Sequence, residues 1–314
     1  MESVERRKNL STAELEDEYV AKGRPVVLTD LVDGWPAITR WSPPSELGRL
    51  AGELMAPLIT LPPGNSYYGS VDPVETPFAT CLERIFGGGG GRHYISQIPL
   101  LELAPQLASD FAFPFPDLDA VHEPVFFWIG TGGCVSNVHF DFAHNFACQI
   151  SGRKRFRLYP PEQSHRLYPS LTSKFSPVST LGDTSLDEYP LFARAKLIEV
   201  TLDPGSLLFL PSFWWHQVIT DVPGVMISRF WNTASMLRDR DRLDACAMAI
   251  LQRDFELALE SVAQCETESY RDVLYAAAAR EALAAPAASL ARQALSRISN
   301  RRFVDEMAEL FEGA

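Results

Sequence analysis

Hydrophobic residues between positions 123 and 232 come in short, closely spaced runs that are rich in β-branched and aromatic side chains. Turn-forming sequences such as Ser151-Gly152 and Asp203-Pro204-Gly205 separate many of these runs. Many short strands without long helices between them predict an antiparallel β-sandwich or barrel. The polar, proline-containing interval 160–196 is interpreted as an insertion between two strands. The eight predicted strands are 125–129, 134–140, 146–150, 155–159, 197–202, 206–210, 217–220 and 225–231.

The segment that precedes this region is less regular. Ser11-Thr12 stands before a helical pattern at 14–21 in the manner of an N-cap. A strand is expected at 24–29, which is β-branched and begins near a proline. Residues 43–120 are mixed and rich in proline and glycine. Within them, five consecutive glycines at 87–91 are not followed by the Gly-Lys-Ser/Thr of a phosphate-binding loop, so a mobile linker or an active-site flap is favoured.

The last part of the chain changes to a helical pattern. Residues 235–314 are dense in Ala, Leu, Arg and Glu, with apolar residues at helical spacing. Three or four helices are expected, with breaks near 261–269 and at Ala285-Pro286. The chain is therefore divided into an N-terminal mixed segment at 1–122, a β core at 123–232 and a C-terminal helical region at 233–314.

Composition and charge narrow the classes of function. The 28 basic and 40 acidic residues give a net charge of −12, which disfavours binding to phosphate backbones and anionic membranes. Five cysteines without a CxxC pair are not a disulfide framework, and a reducing cytoplasm fits them best. Neither a signal peptide nor an apolar run long enough to span a membrane is recognised.

The candidate chemistry lies in His139-Phe140-Asp141 and in His216. On a β-strand, residues i and i+2 point to the same face, so His139 and Asp141 can converge from one strand. His216 follows an apolar strand and a turn. Two imidazoles and one carboxylate on one face leave three coordination positions open, which is the facial triad of non-haem Fe(II) oxygenases.

Three stretches of the sequence indicate a family for the chain: "SNVHFDFAHNFACQISGRKRFRLYPPEQSHRLYP", "DPGSLLFLPSFWWHQV" and "ISRFW". They resemble the cupin-type Jumonji C (JmjC) oxygenases, and within these the hydroxylase subgroup that includes the asparaginyl hydroxylase acting on hypoxia-inducible factor. The resemblance covers roughly 24–36 and 92–232. It implies a mainly β fold, a double-stranded β-helix or jelly roll, that binds Fe(II) and 2-oxoglutarate, with the metal held by His139, Asp141 and His216.

The resemblance also implies a binding site for 2-oxoglutarate. Lys154 matches the family lysine that binds the distal carboxylate through a charge-assisted contact. Ser136 and Tyr94 match hydroxyl groups that support the same carboxylate. Asn145 matches an asparagine near the keto-acid end. For Lys154, a solvated surface lysine is the competing interpretation.

Three further residues near the motifs are ambiguous. Arg229 occupies the position where the asparaginyl hydroxylase has an asparagine. If its side chain faces inward, it would meet a carboxylate of the cofactor or substrate. If it faces outward, it is a surface arginine. Trp231 either lines the cofactor pocket or packs in the core. His144 has the wrong strand parity for a ligand and is interpreted as a non-ligand.

The expected function is hydroxylation of a C–H bond, with release of succinate and CO2. A protein or peptide side chain is the expected substrate, because the negative charge favours a basic or neutral partner. A small molecule is the alternative, tRNA is disfavoured, and the C-terminal helices could form a homodimer interface or a lid. Two other classes stay open: a non-catalytic metal-binding cupin, and a scaffold built on the helical region.

Overall fold

Twelve strands organise the described part of the chain in the computed structural model, which describes all residues except 1, 2, 43, 52, 53, 66, 116, 117, 119, 171, 172, 179–186, 285, 286, 300, 313 and 314. The strands are β1 (Glu5–Arg7), β2 (Val26–Leu28), β3 (Met55–Leu61), β4 (Val74–Pro77), β5 (Arg92–Pro99), β6 (Val121–Gly130), β7 (His144–Gln149), β8 (Arg153–Tyr159), β9 (Ile198–Leu202), β10 (Leu207–Leu210), β11 (Trp215–Val222) and β12 (Gly224–Asn232).

The strands form two sheets. The larger sheet has the order β1-β2-β10-β7-β12-β6-β5-β3-β4, and the smaller sheet has the order β11-β8-β9. From β7 to β12 the chain passes back and forth between the two sheets, and all pairs among these strands are antiparallel. This is the jelly roll expected from the sequence, and the prediction of the fold class is confirmed.

Side-chain alternation on β8 shows how the jelly roll acquires its interior. Phe156 and Leu158 point inward, where they join a buried cluster with side chains such as Leu208 of β10 in the opposite sheet. Burying one large apolar side chain contributes about 1.5–3 kcal/mol. Arg155 and Arg157 point outward and pair with acidic residues at the surface. The period of two therefore separates core from solvent on this strand.

Ten helices flank the sheets in the described residues. They are α1 (Thr12–Leu15), α2 (Pro36–Arg40), α3 (Ser45–Ala51), α4 (Phe78–Phe86), α5 (Leu100–Leu103), α6 (Ala234–Leu251), α7 (Phe255–Ala263), α8 (Glu268–Ala284), α9 (Ala288–Ser296) and α10 (Arg301–Glu312). Ser11 caps α1, and its side chain and that of Glu14 satisfy each other's backbone N–H groups in a capping box. The helix then continues as a wider turn over Glu16–Val20.

The N-terminal segment covers the outer face of the large sheet. Side chains from α1 to α4 pack with Phe127, Phe146 and Ile227 in the largest buried cluster. Strands β3, β4 and β5, which extend the same sheet, had no counterpart among the predicted strands, because the proline- and glycine-rich composition of 43–120 conceals them. The glycines at 87–91 connect α4 to β5, and Gly88, Gly90 and Gly91 have positive φ.

The C-terminal helices pack on one end of the jelly roll. They bury apolar side chains against Phe140, Phe213 and Trp215. Five helices are described where three or four were predicted; one predicted break lies between α7 and α8, and the other, at Ala285-Pro286, falls outside the described residues. The described helices include none long and apolar enough to cross a membrane. All five cysteines are buried and unpaired.

The predicted strand 134–140 differs from the structure. Instead of a continuous strand, this segment makes isolated bridges, among them Val135 with Ile219 and His139 with His216. Next to it runs part of the insertion, where the N–H of Phe140 donates to the carbonyl of Lys174 at 3.2 Å. The irregular backbone leaves the side chains of this segment free to turn toward one point.

Candidate metal centre

Three side chains that are far apart in the chain meet at the open end of the jelly roll. His139, Asp141 and His216 each offer a ligand atom, and these atoms lie within 4.8 Å of one another. The backbones of His139 and His216 are paired by two hydrogen bonds of 3.0 and 2.7 Å, which bring the ring centroids to 4.1 Å. The structure thus brings the sequence-predicted triad together.

Hydrogen bonds to the backbone determine which imidazole nitrogens face the centre. Nδ1 of His139 lies 2.8 Å from the carbonyl oxygen of Asn137, and Nδ1 of His216 lies 2.9 Å from that of Trp214. A carbonyl oxygen accepts but cannot donate, so each Nδ1 carries the proton and each Nε2 keeps a free lone pair. Burial lowers the pKa of both imidazoles, that of His139 to about 3, and both rings are neutral near pH 7.

The Asp141 carboxylate uses its two oxygens differently. Oδ2 lies 3.5 Å from Nε2 of His216, whereas Oδ1 accepts a hydrogen bond of 2.9 Å from Nζ of Lys174. Burial alone would raise the pKa of Asp141, but the charge of the Lys174 ammonium opposes it and helps to hold the pKa at about 2. The site therefore presents one anionic oxygen and two neutral nitrogens.

Lys154 is a fully buried cation beside this site. Its Nζ donates to Oη of Tyr94 at 2.6 Å, and within the described ranges it has no carboxylate partner. Its neighbours Arg153 and Arg155 point outward and pair with Asp203 and Asp221. Burial lowers the pKa of Lys154 to about 7, because the charged form has lost its hydration. The structure thus places Lys154 inside, where an anion is needed to stabilise its charge.

Two stacked tyrosines form a wall next to Lys154. The rings of Tyr68 and Tyr94 are parallel within 5°, with centroids 4.1 Å apart. Gly130 lies opposite Tyr94 in the sheet, where a Cβ atom would come within 2.3 Å of the ring. Burial raises the pKa of Tyr68 and Tyr94 above the usual range, so both hydroxyls stay protonated. Ser136, also buried, accepts a hydrogen bond of 2.8 Å from the N–H of Val218.

The triad opens into a cavity of about 40 Å³. Asn145 on β7 contributes a buried amide to it, and Oδ1 of this amide has no hydrogen-bond partner among the residues that the structure describes. A buried acceptor without a partner is costly, which indicates a place for a bound donor or a water molecule. The lining consists of Tyr68, Tyr94, Gln97, Trp128, His139, Asp141, Asn145, Phe156, Lys174, His216, Val218, Met226 and Phe230.

Comparison with known families agrees with this geometry. A family model described as a cupin-like domain matches residues 12–236. The chain belongs to the cupin-like domain family. The match includes the jelly roll and the three metal-site residues.

Curated members of the JmjC branch of the cupin-like family resemble this chain. Jumonji C domain-containing protein 5 of Drosophila melanogaster is 28% identical over 70% of this chain and 58% of its own length. Lysine-specific demethylase 8 of Xenopus tropicalis is 30% identical over 69% of this chain and 50% of its own length. tRNA wybutosine-synthesizing protein 5 of Mus musculus is 32% identical over 54% of each chain. The chain thus spans about half the length of these relatives.

The donor set fits the cofactors that cupin-like proteins of the JmjC branch typically use, Fe(II) and 2-oxoglutarate. Two imidazole nitrogens and one carboxylate oxygen suit Fe(II) and leave positions for a chelating keto acid. Among the described residues, the buried ammonium of Lys154 has a tyrosine hydroxyl but no carboxylate as partner, and the amide oxygen of Asn145 has no hydrogen-bond partner. The residues present therefore fit both groups.

Two of the predicted cofactor contacts lie elsewhere in the cupin-like fold. Arg229 and Trp231 share a face of β12 with Ile227, whereas Met226 and Phe230 line the metal cavity from the other face. The guanidinium of Arg229 lies 5.9 Å from the ring centroid of Phe113, and burial lowers its pKa. Trp231 packs in the core, which is the second of its two expected roles. Because side chains alternate along β12, Arg229 and Trp231 point to the face opposite the cavity.

His144 is also placed away from the metal. Its Nδ1 accepts a hydrogen bond of 3.0 Å from the N–H of Ser212, and its ring packs 4.5 Å from that of Trp231. The metal-ligand cluster found among the described residues does not include it, which agrees with the expectation of a non-ligand.

Tyr68, which stacks on Tyr94, and Lys174, which contacts Asp141, are among the site residues that sequence reasoning missed. Both lie in irregular segments, and both reach the cavity through non-local backbone contacts. Tyr68 donates its N–H to the carbonyl of Val135, and Lys174 directly precedes Phe175, which forms a bridge with His139. No periodic pattern marks such contacts; the aromatic pair Tyr67-Tyr68 and a lone lysine in the insertion were the available signals.

Proposed function

We propose that this protein is an Fe(II)- and 2-oxoglutarate-dependent oxygenase that hydroxylates a C–H bond of a protein or peptide side chain, with release of succinate and CO2. The observation that carries the proposal is an open His-Asp-His triad together with a buried Lys154, which has no carboxylate partner among the described residues and donates a hydrogen bond to Tyr94 in the lining of the same cavity. A cupin that only binds a metal has no use for that buried cation.

Each residue has a role that follows from its contacts. His139, Asp141 and His216 would hold the metal, and their backbone hydrogen bonds fix the imidazole tautomers. When bound, Fe(II) and 2-oxoglutarate supply oxygen activation coupled to oxidative decarboxylation. Lys154 would bind the distal carboxylate of 2-oxoglutarate.

Supporting groups complete the cofactor site. Tyr94 would orient the Lys154 ammonium through its hydrogen bond, the Ser136 hydroxyl would support the same carboxylate, and the Asn145 amide, which lines the cavity, would meet the keto-acid end. The stacked Tyr68 and Tyr94 rings keep bulk water from this part of the cavity.

The substrate class rests on charge and on the relatives. A net charge of −12 favours a basic or neutral partner and opposes a tRNA, although one relative is named for tRNA wybutosine synthesis. Other relatives are named lysine-specific demethylases, which supports N-demethylation as the second candidate. Demethylation is hydroxylation at an N-methyl carbon, so the same site serves both. A subgroup shared with the asparaginyl hydroxylase, a cytoplasmic location and a homodimer through the C-terminal helices stay predictions.

The test is uncoupled turnover, measured as succinate formed from 2-oxoglutarate with Fe(II) and O2 in the absence of a substrate. Lys154→Ala is expected to lower it at least tenfold, about 1.4 kcal/mol, because a charge-assisted contact is lost. Arg157→Ala is the matched control, since it removes an outward-facing cation from the same strand. Its turnover should equal that of the wild type.

Other outcomes distinguish the alternatives. Absence of turnover together with absence of 2-oxoglutarate binding would favour a metal-binding cupin. Function that survives His139→Ala but is lost on deletion of 235–314 would favour a scaffold. A small-molecule substrate would be indicated if candidate peptides, including N-methylated ones, gain no oxygen atom and lose no methyl group in mass spectra while a small amino acid does.

A further inference from the structure

Lys174 belongs to the insertion between β8 and β9, yet the backbone fixes it beside the metal ligands. The carbonyl of Lys174 accepts from the N–H of Phe140, and the N–H of Ser176 donates to the carbonyl of Val138 at 2.8 Å. The phenyl ring of Phe175 lies 5.6 Å from the imidazole of His139. This short part of the insertion therefore runs alongside the segment that carries two of the three ligands.

The side chain of Lys174 contacts a ligand directly. Its Nζ is 2.9 Å from Oδ1 of Asp141, on the side of the carboxylate away from Oδ2, which faces His216. A carboxylate whose outer oxygen is occupied by an ammonium cannot rotate to offer both oxygens to a metal. One oxygen then coordinates, and the position that the second would take stays open.

We propose that Lys174 is a positioning residue of the metal centre, which holds Asp141 in one-oxygen coordination and so keeps three positions free. This inference rests on the proposed function. Hydrogen-bond partners of metal ligands commonly affect metal affinity by 10- to 100-fold.

The position of Lys174 makes the proposal testable without loss of the fold. Its side chain is 38% exposed, and it also lines an outer cavity of about 150 Å³ together with Phe142, Arg240 and Tyr270. A substitution at this partly solvated position removes little buried surface. Lys196, in the same insertion, is exposed and absent from the metal cavity lining, so it provides a matched control for the loss of one positive charge.

The experiment measures Co(II) binding to the full chain by titration of the visible ligand-field absorption, which reports both affinity and coordination geometry. Lys174→Met is expected to weaken Co(II) binding 10- to 100-fold and to change the shape of the spectrum. Removing a nearby cation favours a divalent metal electrostatically, so weaker binding reflects lost orientation of Asp141. Lys174→Arg, which keeps a charged donor, should restore most of the affinity, and Lys196→Met should match the wild type.

The possible results separate this inference from the proposed function. Unchanged or tighter Co(II) binding in Lys174→Met, with an unchanged spectrum, would overturn the role of Lys174 and leave the triad intact. Equal losses in Lys174→Met and Lys196→Met would also overturn it, because a general charge effect would then suffice. If the wild type binds no Co(II), or His139→Ala binds it equally well, the proposed function and the inference fail together. A second variant, Lys174→Gln, repeats the test with a polar side chain. Circular dichroism of Lys174→Met and Lys174→Gln checks that both are folded.

Discussion

Two lysines lie near the metal cavity in opposite situations: Lys154 lies behind Tyr94, at what we call the inner end, and Lys174 lines the cavity, at what we call the mouth. Lys154 at the inner end is fully buried, hydrogen-bonded to a neutral tyrosine and without a carboxylate partner in the described chain. Lys174 at the mouth is partly exposed and paired with Asp141. Both charges lie near one small cavity, but only the one at the mouth is compensated by the protein itself.

This difference assigns different tasks to similar side chains. A buried ammonium without a counterion destabilises the empty protein and is stabilised by an anionic ligand, so the inner end is built for binding. An ammonium already paired with a metal-binding carboxylate serves the geometry of that carboxylate. The comparison predicts that the inner end controls 2-oxoglutarate affinity and that the mouth controls the metal.

The largest effect expected at the inner end is a pH dependence of 2-oxoglutarate binding. Burial lowers the pKa of Lys154 to about 7, so the amine of the empty site is mostly neutral above that pH. The carboxylate binds the ammonium form, so binding above pH 7 takes up a proton and the affinity falls about tenfold per pH unit. Below pH 7 the amine of the empty site is already mostly charged, so Lys154 no longer makes the affinity for 2-oxoglutarate depend on pH.

Isothermal titration of the Mn(II)-loaded protein with 2-oxoglutarate measures this effect. The Kd should rise about 50-fold between pH 7 and pH 9, because half of the amine is already neutral at pH 7, and buffers with different heats of ionisation should show uptake of about one proton near pH 9. In Lys154→Met the slope should vanish. Equal affinities at pH 7 and pH 9 in the wild type would mean that Lys154 does not bind the ligand, and the comparison between the two ends would break down.

A smaller effect is expected from Tyr94→Phe, which removes the hydroxyl that accepts the hydrogen bond from Lys154. One such hydrogen bond contributes about 0.5–1.5 kcal/mol, so the Kd for 2-oxoglutarate should rise about 2- to 10-fold. Co(II) affinity should not change, because Tyr94 belongs to the inner end. Tyr159→Phe, at another buried tyrosine, is the control and should leave both affinities unaltered. A loss of Co(II) affinity in Tyr94→Phe would show that the two ends are not independent.

The sequence was most informative where short, regular spacings carry the site. Lys154 alternates with Arg153 and Arg155 on β8, and this alternation determines which of the three cations points inward. The triad was recognisable because His139 and Asp141 are two residues apart and His216 follows an apolar strand. The alternation of side chains along β12 could also have been used to place Arg229 and Trp231. Both share a face with Ile227, which packs in the core.

The remaining parts of the site depend on contacts that local sequence does not encode. Residues 134–140 form isolated bridges because the neighbouring backbone is partly supplied by the distant insertion. Tyr68 reaches the cavity because its neighbour Tyr67 forms a bridge with Val135, and Lys174 because its carbonyl accepts a hydrogen bond from the N–H of Phe140. Such positions follow from tertiary packing, and neither hydrophobic period nor turn propensity predicts them.

An anaerobic titration of the Fe(II)-loaded protein with 2-oxoglutarate, followed by visible absorption, tests directly whether the triad and the keto acid share one iron. We expect a charge-transfer band that saturates at one 2-oxoglutarate per iron, because a chelating keto acid occupies two of the positions that His139, Asp141 and His216 leave open. The band should be absent from Asp141→Ala. Iron that binds without this band, or a band that persists unchanged in Asp141→Ala, would show that the site is not a 2-oxoglutarate-dependent iron centre.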